Sequence, residues 1–307
     1  MLTLGLAPGT FLRTAIPLER STDLRITPVA VDNADRWPAD LVIEGAWELE
    51  SSDPMFGGYS ALLHLGEGRA IAFSDRGDSL TFTLPGYGDP APLLREVAEN
   101  NSVEESQDDI ESAARDETTG TIWLGYERAN AIGRFRNGAE ARPQVVQPDA
   151  MRDWPETGGP ESLARLSDGR FMALAERGGA GVLFMGDPFD DTRSHTFTAI
   201  YPPDYRPTDA VQSPDGRILM LARSVEMTFP PFRAQLMIAD VPDPRAAKPW
   251  TPKTIGQLDG PLPHENYEAL AIQREGNSTI IWIMSDDNRS TFQRTLLVKL
   301  RWQPATD

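Results

Sequence analysis

The chain has 307 residues, 40% hydrophobic and 24% charged, an ordinary globular mixture with enough apolar material for a core. Twenty-nine basic residues against forty-six acidic ones leave a net charge of −17, a field that repels phosphate backbones and anionic lipid headgroups, so neither nucleic acid nor a membrane surface is an expected partner. No cysteine is present, which rules out disulfides, thiolate nucleophiles and cysteine-ligated metal centres.

At the N-terminus, Met1 to Ala7 is apolar but too short for an intact signal peptide and lacks a basic lead-in; a trimmed signal and an anchor remnant are the two readings of it. Residues 1–23 are set apart as an extension, and a single β-propeller domain is expected over 24–307. No run of about 18 apolar residues is available to span a bilayer. Twenty-six prolines and twenty-five glycines, spread along the chain, leave little room for long helices and favour many short strands.

Leu41-Val42-Ile43 and Trp47-Glu48-Leu49 read as strands. A repeat of about fifty residues follows. Its units open at Gly58-Tyr59-Ser60-Ala61-Leu62, Asp109-Ile110-Glu111-Ser112-Ala113, Gly159-Pro160-Glu161-Ser162-Leu163, Pro207-Thr208-Asp209-Ala210-Val211 and Asn266-Tyr267-Glu268-Ala269-Leu270. Each opening leads to a turn, such as Ser167-Asp168-Gly169 or Pro214-Asp215-Gly216, and then to a second apolar strand, such as Phe171 to Ala175. Hairpins at this spacing describe four-stranded blades around an axis, each sheet burying its faces against its neighbours. Five units begin at Gly58, and the upstream residues amount to one blade more. The fold is therefore read as an all-β propeller with six blades as the leading count and five as the alternative. Leu296 to Trp302 is expected to close the ring beside the N-terminal strands. Pro92 to Gln107 has partial helical spacing and reads as an excursion, His64 falls on a strand and His195 in a loop, and the proline-rich pieces at 201–203, 229–231 and 242–252 read as inter-blade loops.

Aligning the units on their third residue gives Ser60, Glu111, Glu161, Asp209 and Glu268; about fifteen residues later come Asp75, Glu127, Glu176, Arg223 and the pair Asp286 and Asp287. A residue type recurring once per blade forms a ring, so Glu111, Glu161, Asp209 and Glu268 are expected to converge on one mouth of the channel as ligands of a cation. Calcium, which takes six to eight hard oxygen ligands, is the natural candidate. The competing reading is an ion-paired ring that stitches blades together, because arginine follows the acid in Asp75-Arg76, Glu127-Arg128 and Glu176-Arg177.

If a metal is bound, Glu161, Glu268 and Arg177 are the catalytic candidates, a carboxylate taking the proton of an activated water and arginine gripping the anion. Ser60, Asp75, Arg76, Glu127, Arg128, Glu176, Arg223, His264 and Asp287 are the substrate-binding candidates. Gly58-Tyr59-Ser60-Ala61-Leu62 lacks the last glycine of a serine-hydrolase elbow, no His-Glu-x-x-His pair exists for zinc, and Gly178-Gly179-Ala180-Gly181 reads as a hairpin turn and not a phosphate loop.

Phe56 to Leu62 followed by Ala72-Phe73-Ser74-Asp75-Arg76-Gly77, then Pro160-Glu161-Ser162-Leu163 with Ala175-Glu176-Arg177, and Tyr267-Glu268-Ala269-Leu270-Ala271, resemble the bacterial phytase-like, or esterase-like phytase, propeller family over about Leu41 to Trp302. The resemblance implies a propeller, secretion or a periplasmic location, and phosphoesterase or esterase activity; its repeated motif falls on Ser60, Asp75, Glu161, Glu176 and Glu268. The lysine-rich phosphate site of calcium-dependent phytase propellers has no counterpart here. Three readings stand side by side: a calcium-dependent hydrolase of phosphoesters or other esters, a binding or scaffold propeller, and a lactonase-like metal propeller using Glu161, Asn130, Asp209 and Asn266. The expected partner is a small anionic ester, and the expected state is a monomer.

Overall fold

The computed structural model describes residues 21–31, 37–38, 40–97, 109–136, 142–227, 230–246 and 248–303. Most of the 1–23 extension and most of the acidic stretch after Val97 lie outside the described residues. In chain order the strands are β1 (Arg25–Pro28), β2 (Leu41–Glu50), β3 (Tyr59–Gly66), β4 (Arg69–Ser74), β5 (Asp78–Thr83), β6 (Leu93–Glu96), β7 (Ile110–Arg115), β8 (Ile122–Tyr126), β9 (Ala131–Phe135) and β10 (Gln144–Val146). They continue as β11 (Pro160–Arg165), β12 (Phe171–Ala175), β13 (Ala180–Phe184), β14 (Ser194–Thr198), β15 (Arg206–Gln212), β16 (Ile218–Val225), β17 (Phe232–Ala239), β18 (Lys253–Gln257), β19 (Asn266–Glu275), β20 (Ser278–Asp286) and β21 (Thr295–Trp302).

These strands form an all-β propeller of five blades. Blades 1 to 4 are the four-stranded sheets β3–β6, β7–β10, β11–β14 and β15–β18, and blade 5 is the five-stranded sheet β1-β2-β21-β20-β19. The expectation of six blades is corrected: among the described residues the upstream strands number two, and β2 pairs antiparallel with β21 from Leu41 opposite Trp302 to Leu49 opposite Thr295. An isolated two-stranded hairpin is marginal in water, whereas the free edge of β21 offers a complete ladder of backbone partners. Two local expectations change as well. Leu93–Glu96 is the outer strand of blade 1 instead of a helical excursion, and His195 sits on β14 instead of in a loop.

Strand alternation sorts the core. In β16, Ile218, Met220 and Ala222 pack toward blade 3, while Leu219 and Leu221 pack toward blade 5. In β20, Ile280, Trp282 and Met284 face blade 1, and Ile281 and Ile283 face blade 4. Middle strands buried on both faces read as unbroken apolar runs for this reason. Each fully buried Leu or Ile contributes about 1.5–3 kcal/mol relative to exposure. Five apolar clusters result among the described residues, each spanning one pair of neighbouring blades.

The turns are chemically specified. Gly169 and Gly216 have φ of 88° and 89°, which favours glycine, and each follows an aspartate whose Oδ1 accepts the N–H of the arginine beyond: Arg170 at 3.1 Å and Arg217 at 3.0 Å.

The innermost strand of each blade carries a β-bulge within its first three residues. The extra residue falls at Ser60, Glu111, Glu161, Thr208 and Glu268. Two residues further on, Leu62, Ala113, Leu163, Ala210 and Leu270 line a throat of only about 90 Å³. A bulge turns its extra side chain out of the ladder and re-aims it. The acids therefore stand at the mouth, above a narrow and largely apolar channel.

Candidate functional site

The bulges decide what reaches the mouth. Glu111, Glu161 and Glu268 are the bulge residues of blades 2, 3 and 5, and Asp75, Glu127, Glu176, Arg223 and Asp286 lie where the second strand of each blade ends. With Arg177 and Asn288 these residues line a cavity of about 250 Å³. Its walls therefore hold seven carboxylates and two guanidinium groups.

Packing acids this closely has an electrostatic consequence. Burial, and then the neighbouring Glu161 and Glu268, push the Glu111 carboxyl well above the usual range. Burial does the same for Glu161, with Glu268 and Glu176 as the next causes. Asp286 is raised by burial and then by Glu268. Burial lifts Asp75 to about 6; burial and the nearby Asp109 lift Glu127 to about 7. Carboxylate oxygens of Glu127, Glu161 and Glu176 all lie within 4.8 Å of one another, as do those of Asp109, Glu111 and Glu127.

One side of the mouth is clamped by arginine. Arg223 Nη1 lies 3.1 Å from Glu268 Oε1 and donates to Asn266 Oδ1 at 2.8 Å, while Asn266 Nδ2 donates to the same Glu268 oxygen at 2.8 Å. Glu176 meets three guanidinium groups: Arg177 Nε at 3.0 Å, Arg206 Nη1 at 3.3 Å and Arg223 Nη2 at 3.9 Å. Glu161 is 7% exposed, and among the described residues its carboxylate has no hydrogen bond or ion pair.

Of the residues singled out from sequence, Asp75, Glu111, Glu127, Glu161, Glu176, Arg177, Arg223 and Glu268 are brought together at this cavity. Six are not. Asp209 follows the bulge residue Thr208 and is turned into the protein, where its carboxylate accepts the N–H groups of Ala210 at 2.8 Å and Leu270 at 2.7 Å. Both its oxygens are thereby used, which removes it from the expected ligand ring.

Ser60 is buried, and its Oγ donates to the Ile110 carbonyl of the next blade at 2.6 Å. Ser112 repeats that stitch to Pro160 at 2.5 Å. Asp287 accepts from Gly58 N at 3.0 Å and from Thr295 Oγ1 at 2.9 Å, pinning blade 5 to blade 1. Arg76 is exposed, Arg128 pairs with Asp109 at 3.0 Å on the rim, and His264 Nδ1 lies 2.8 Å from Arg233 Nη1.

Three residues escaped the sequence reading: Asp286, where Asp287 was preferred, Asp109 and Arg206. Their signal is the hairpin register, in which Asn266 faces Asp286 and Arg206 faces Arg223. A larger cavity of about 570 Å³, between the outer strands of blades 3 and 4, is walled by Phe197, Trp250, Lys248 and Arg217. Arg217 is already engaged there by Asp215 at 2.7 Å, and among the described residues no cluster of acids converges on it.

No helix among the described residues is long and apolar enough to cross a membrane. The solved structures to which the chain is similar include three propellers. The luciferin-regenerating enzyme is 10% identical, with a TM-score of 0.49 over 91% of this chain and 98% of that one. Virginiamycin B lyase from Staphylococcus aureus is 13% identical, with a TM-score of 0.44 over 91% and 99%. A chain of a nidogen/laminin complex is 9% identical, with a TM-score of 0.45 over 92% and 94%. Identities this low say nothing of ligands or activities. No curated protein sequence matches the chain. A family pattern does match, over residues 54–289, from the turn before β3 to the loop after β20, and so across every blade. On that match the chain belongs to the phytase-like family, described as having the esterase-like activity of phytase.

Proposed function

We propose that the protein is an ester hydrolase whose reaction takes place at the acidic mouth, with a hard divalent cation such as calcium held by Glu127, Glu161 and Glu176. The observation that carries this reading is the buried Glu161 carboxylate, which makes no hydrogen bond or ion pair among the described residues and whose oxygens lie within 4.8 Å of those of Glu127 and Glu176. Like charges so placed call for protons or a cation, and a donor set made only of oxygen suits calcium. A bound cation would polarise the ester oxygen and acidify a water.

The chain's own groups do the rest. Glu268, oriented by Arg223 and Asn266, accepts the proton of the attacking water. Glu111, whose carboxyl is pushed well up by burial and by Glu161, holds a proton to give to the leaving oxygen. Arg177, half-exposed beside Glu176, faces the charge that develops on the substrate. The ion pairs Asp109–Arg128 and Glu176–Arg177 support the competing reading of a structural ring in a binding propeller.

Elemental analysis of the dialysed protein, unfolding with EDTA or calcium, and an ester panel separate the two. The hydrolase predicts a stoichiometric cation whose removal lowers the unfolding midpoint. It also predicts that Glu161→Gln and Glu268→Gln each lose about 100-fold or more in kcat/KM. No cation, no shift and no turnover would leave the binding propeller as the account.

A further inference from the structure

Blade 4 breaks the pattern of the mouth. Two residues before the bulge the other blades carry Gly58, Asp109, Gly159 and Asn266, and blade 4 carries Arg206; where the others have an acid at or just past the end of the second strand, blade 4 has Arg223 within its own. The two arginines face each other in register and converge with Arg177 on Glu176. Arg177, Arg206 and Arg223 make ion pairs with two carboxylates, Glu176 and Glu268.

Arg206 and Arg177 are about half-exposed, at 49% and 52% of their side chains. Each spends one nitrogen on Glu176, and among the described residues neither has another partner. The remaining donors of two planar forks therefore point to solvent beside the carboxylate cluster.

We infer that Arg206 and Arg177, backed by Arg223, form a subsite for one anionic group, a carboxylate or a phosphoryl group, carried by the ligand of this mouth. Guanidinium forks match such oxyanions bidentately, and lysine or water matches them less well. Arg206 thus becomes a determinant of substrate charge. The inference deepens the hydrolase reading by naming the substrate's charge, yet it concerns binding and is tested without an ester bond.

Calorimetric titration of the full chain with phenylphosphonate and, separately, with benzoate decides it. Saturable binding to the unaltered protein, weakened about tenfold or more in both Arg206→Gln and Arg177→Gln, is expected. Arg193→Gln, which removes an exposed arginine that pairs with Asp191 away from the mouth, serves as the control for lost surface charge and leaves the affinity unchanged. The tighter probe tells whether the subsite takes phosphoryl or carboxylate groups. Unfolding midpoints of the variants show that the fold is intact, since both side chains are half in solvent. Equal binding by all variants, or no saturable binding of either probe, overturns the subsite. Arg206-dependent binding without turnover of any ester would leave the subsite standing and the hydrolase reading lost; Glu161-dependent hydrolysis without Arg206-dependent binding would do the reverse.

Discussion

Blades 2 and 4 present the same three backbone positions to the mouth and fill them with opposite chemistry. Blade 2 offers Asp109, the bulge residue Glu111 and Glu127; blade 4 offers Arg206, Thr208 and Arg223. The bulge and the hairpin are the same in both. In blade 2 the acids crowd one another: burial raises Asp109, Glu111 and Glu127 alike, and repulsion from neighbouring carboxylates raises Glu111 and Glu127 further. In blade 4 the guanidinium groups meet carboxylates reaching over from blades 3 and 5. A ring that looks uniform in the sequence is thus polarised, with a proton- or cation-holding side and an anion-holding side.

The strongest way to break this comparison is to give blade 4 a neutral residue. Arg223→Gln leaves Glu268 and Glu176 without their shared, largely buried cation and is expected to cost about 3–5 kcal/mol in urea unfolding. Added divalent cation should recover part of that loss. An unchanged midpoint would mean that the blade-4 arginines do not balance the acids.

A smaller effect sharpens the boundary of the site. Asp209→Ala removes the acceptor of two backbone N–H groups and is expected to cost about 1–3 kcal/mol. Cation and anion titrations of the same variant should match the unaltered protein. Weaker cation binding would return Asp209 to the ligand set.

The smallest expected effect is on pH dependence. Burial lifts Asp75 from 3.8 to about 6 and Glu127 from 4.5 to about 7, so the folded state binds these protons more tightly than the unfolded one. Their contribution is fully present below pH 3.8 and 4.5 respectively and is lost as pH rises through about 6 and about 7. Exposure at the mouth screens it to about 1 kcal/mol per group. Unfolding midpoints of the cation-free protein, corrected with Asp75→Asn and Glu127→Gln, should show that decline; a stability profile identical in the variants would deny it.

Much of the site is legible because it repeats. Glu111, Glu161 and Glu268 stand out at a fixed place after each blade begins, and Asp75, Glu127 and Glu176 at a fixed place later. Asp209 misled because alignment on residue type prefers the acid, whereas the bulge is set by backbone pairing and takes Thr208. Asp286 and Asp287 differ by one position on an extended chain, and one position turns a side chain to the opposite face. Arg206 carries no motif; it matters only through Glu176, thirty residues away in the chain and in another blade.

The sequence by itself determined the all-β repeat, its turns and the kind of charge each unit brings, because strand alternation and Asp-Gly turns are local properties of neighbouring residues. Only the tertiary structure decided that five blades share the ring, that β2 completes the last of them, and which acid each arginine faces. Those outcomes depend on strand edges finding partners and on side chains from separate blades meeting at one axis, and neither is written in any single stretch of chain.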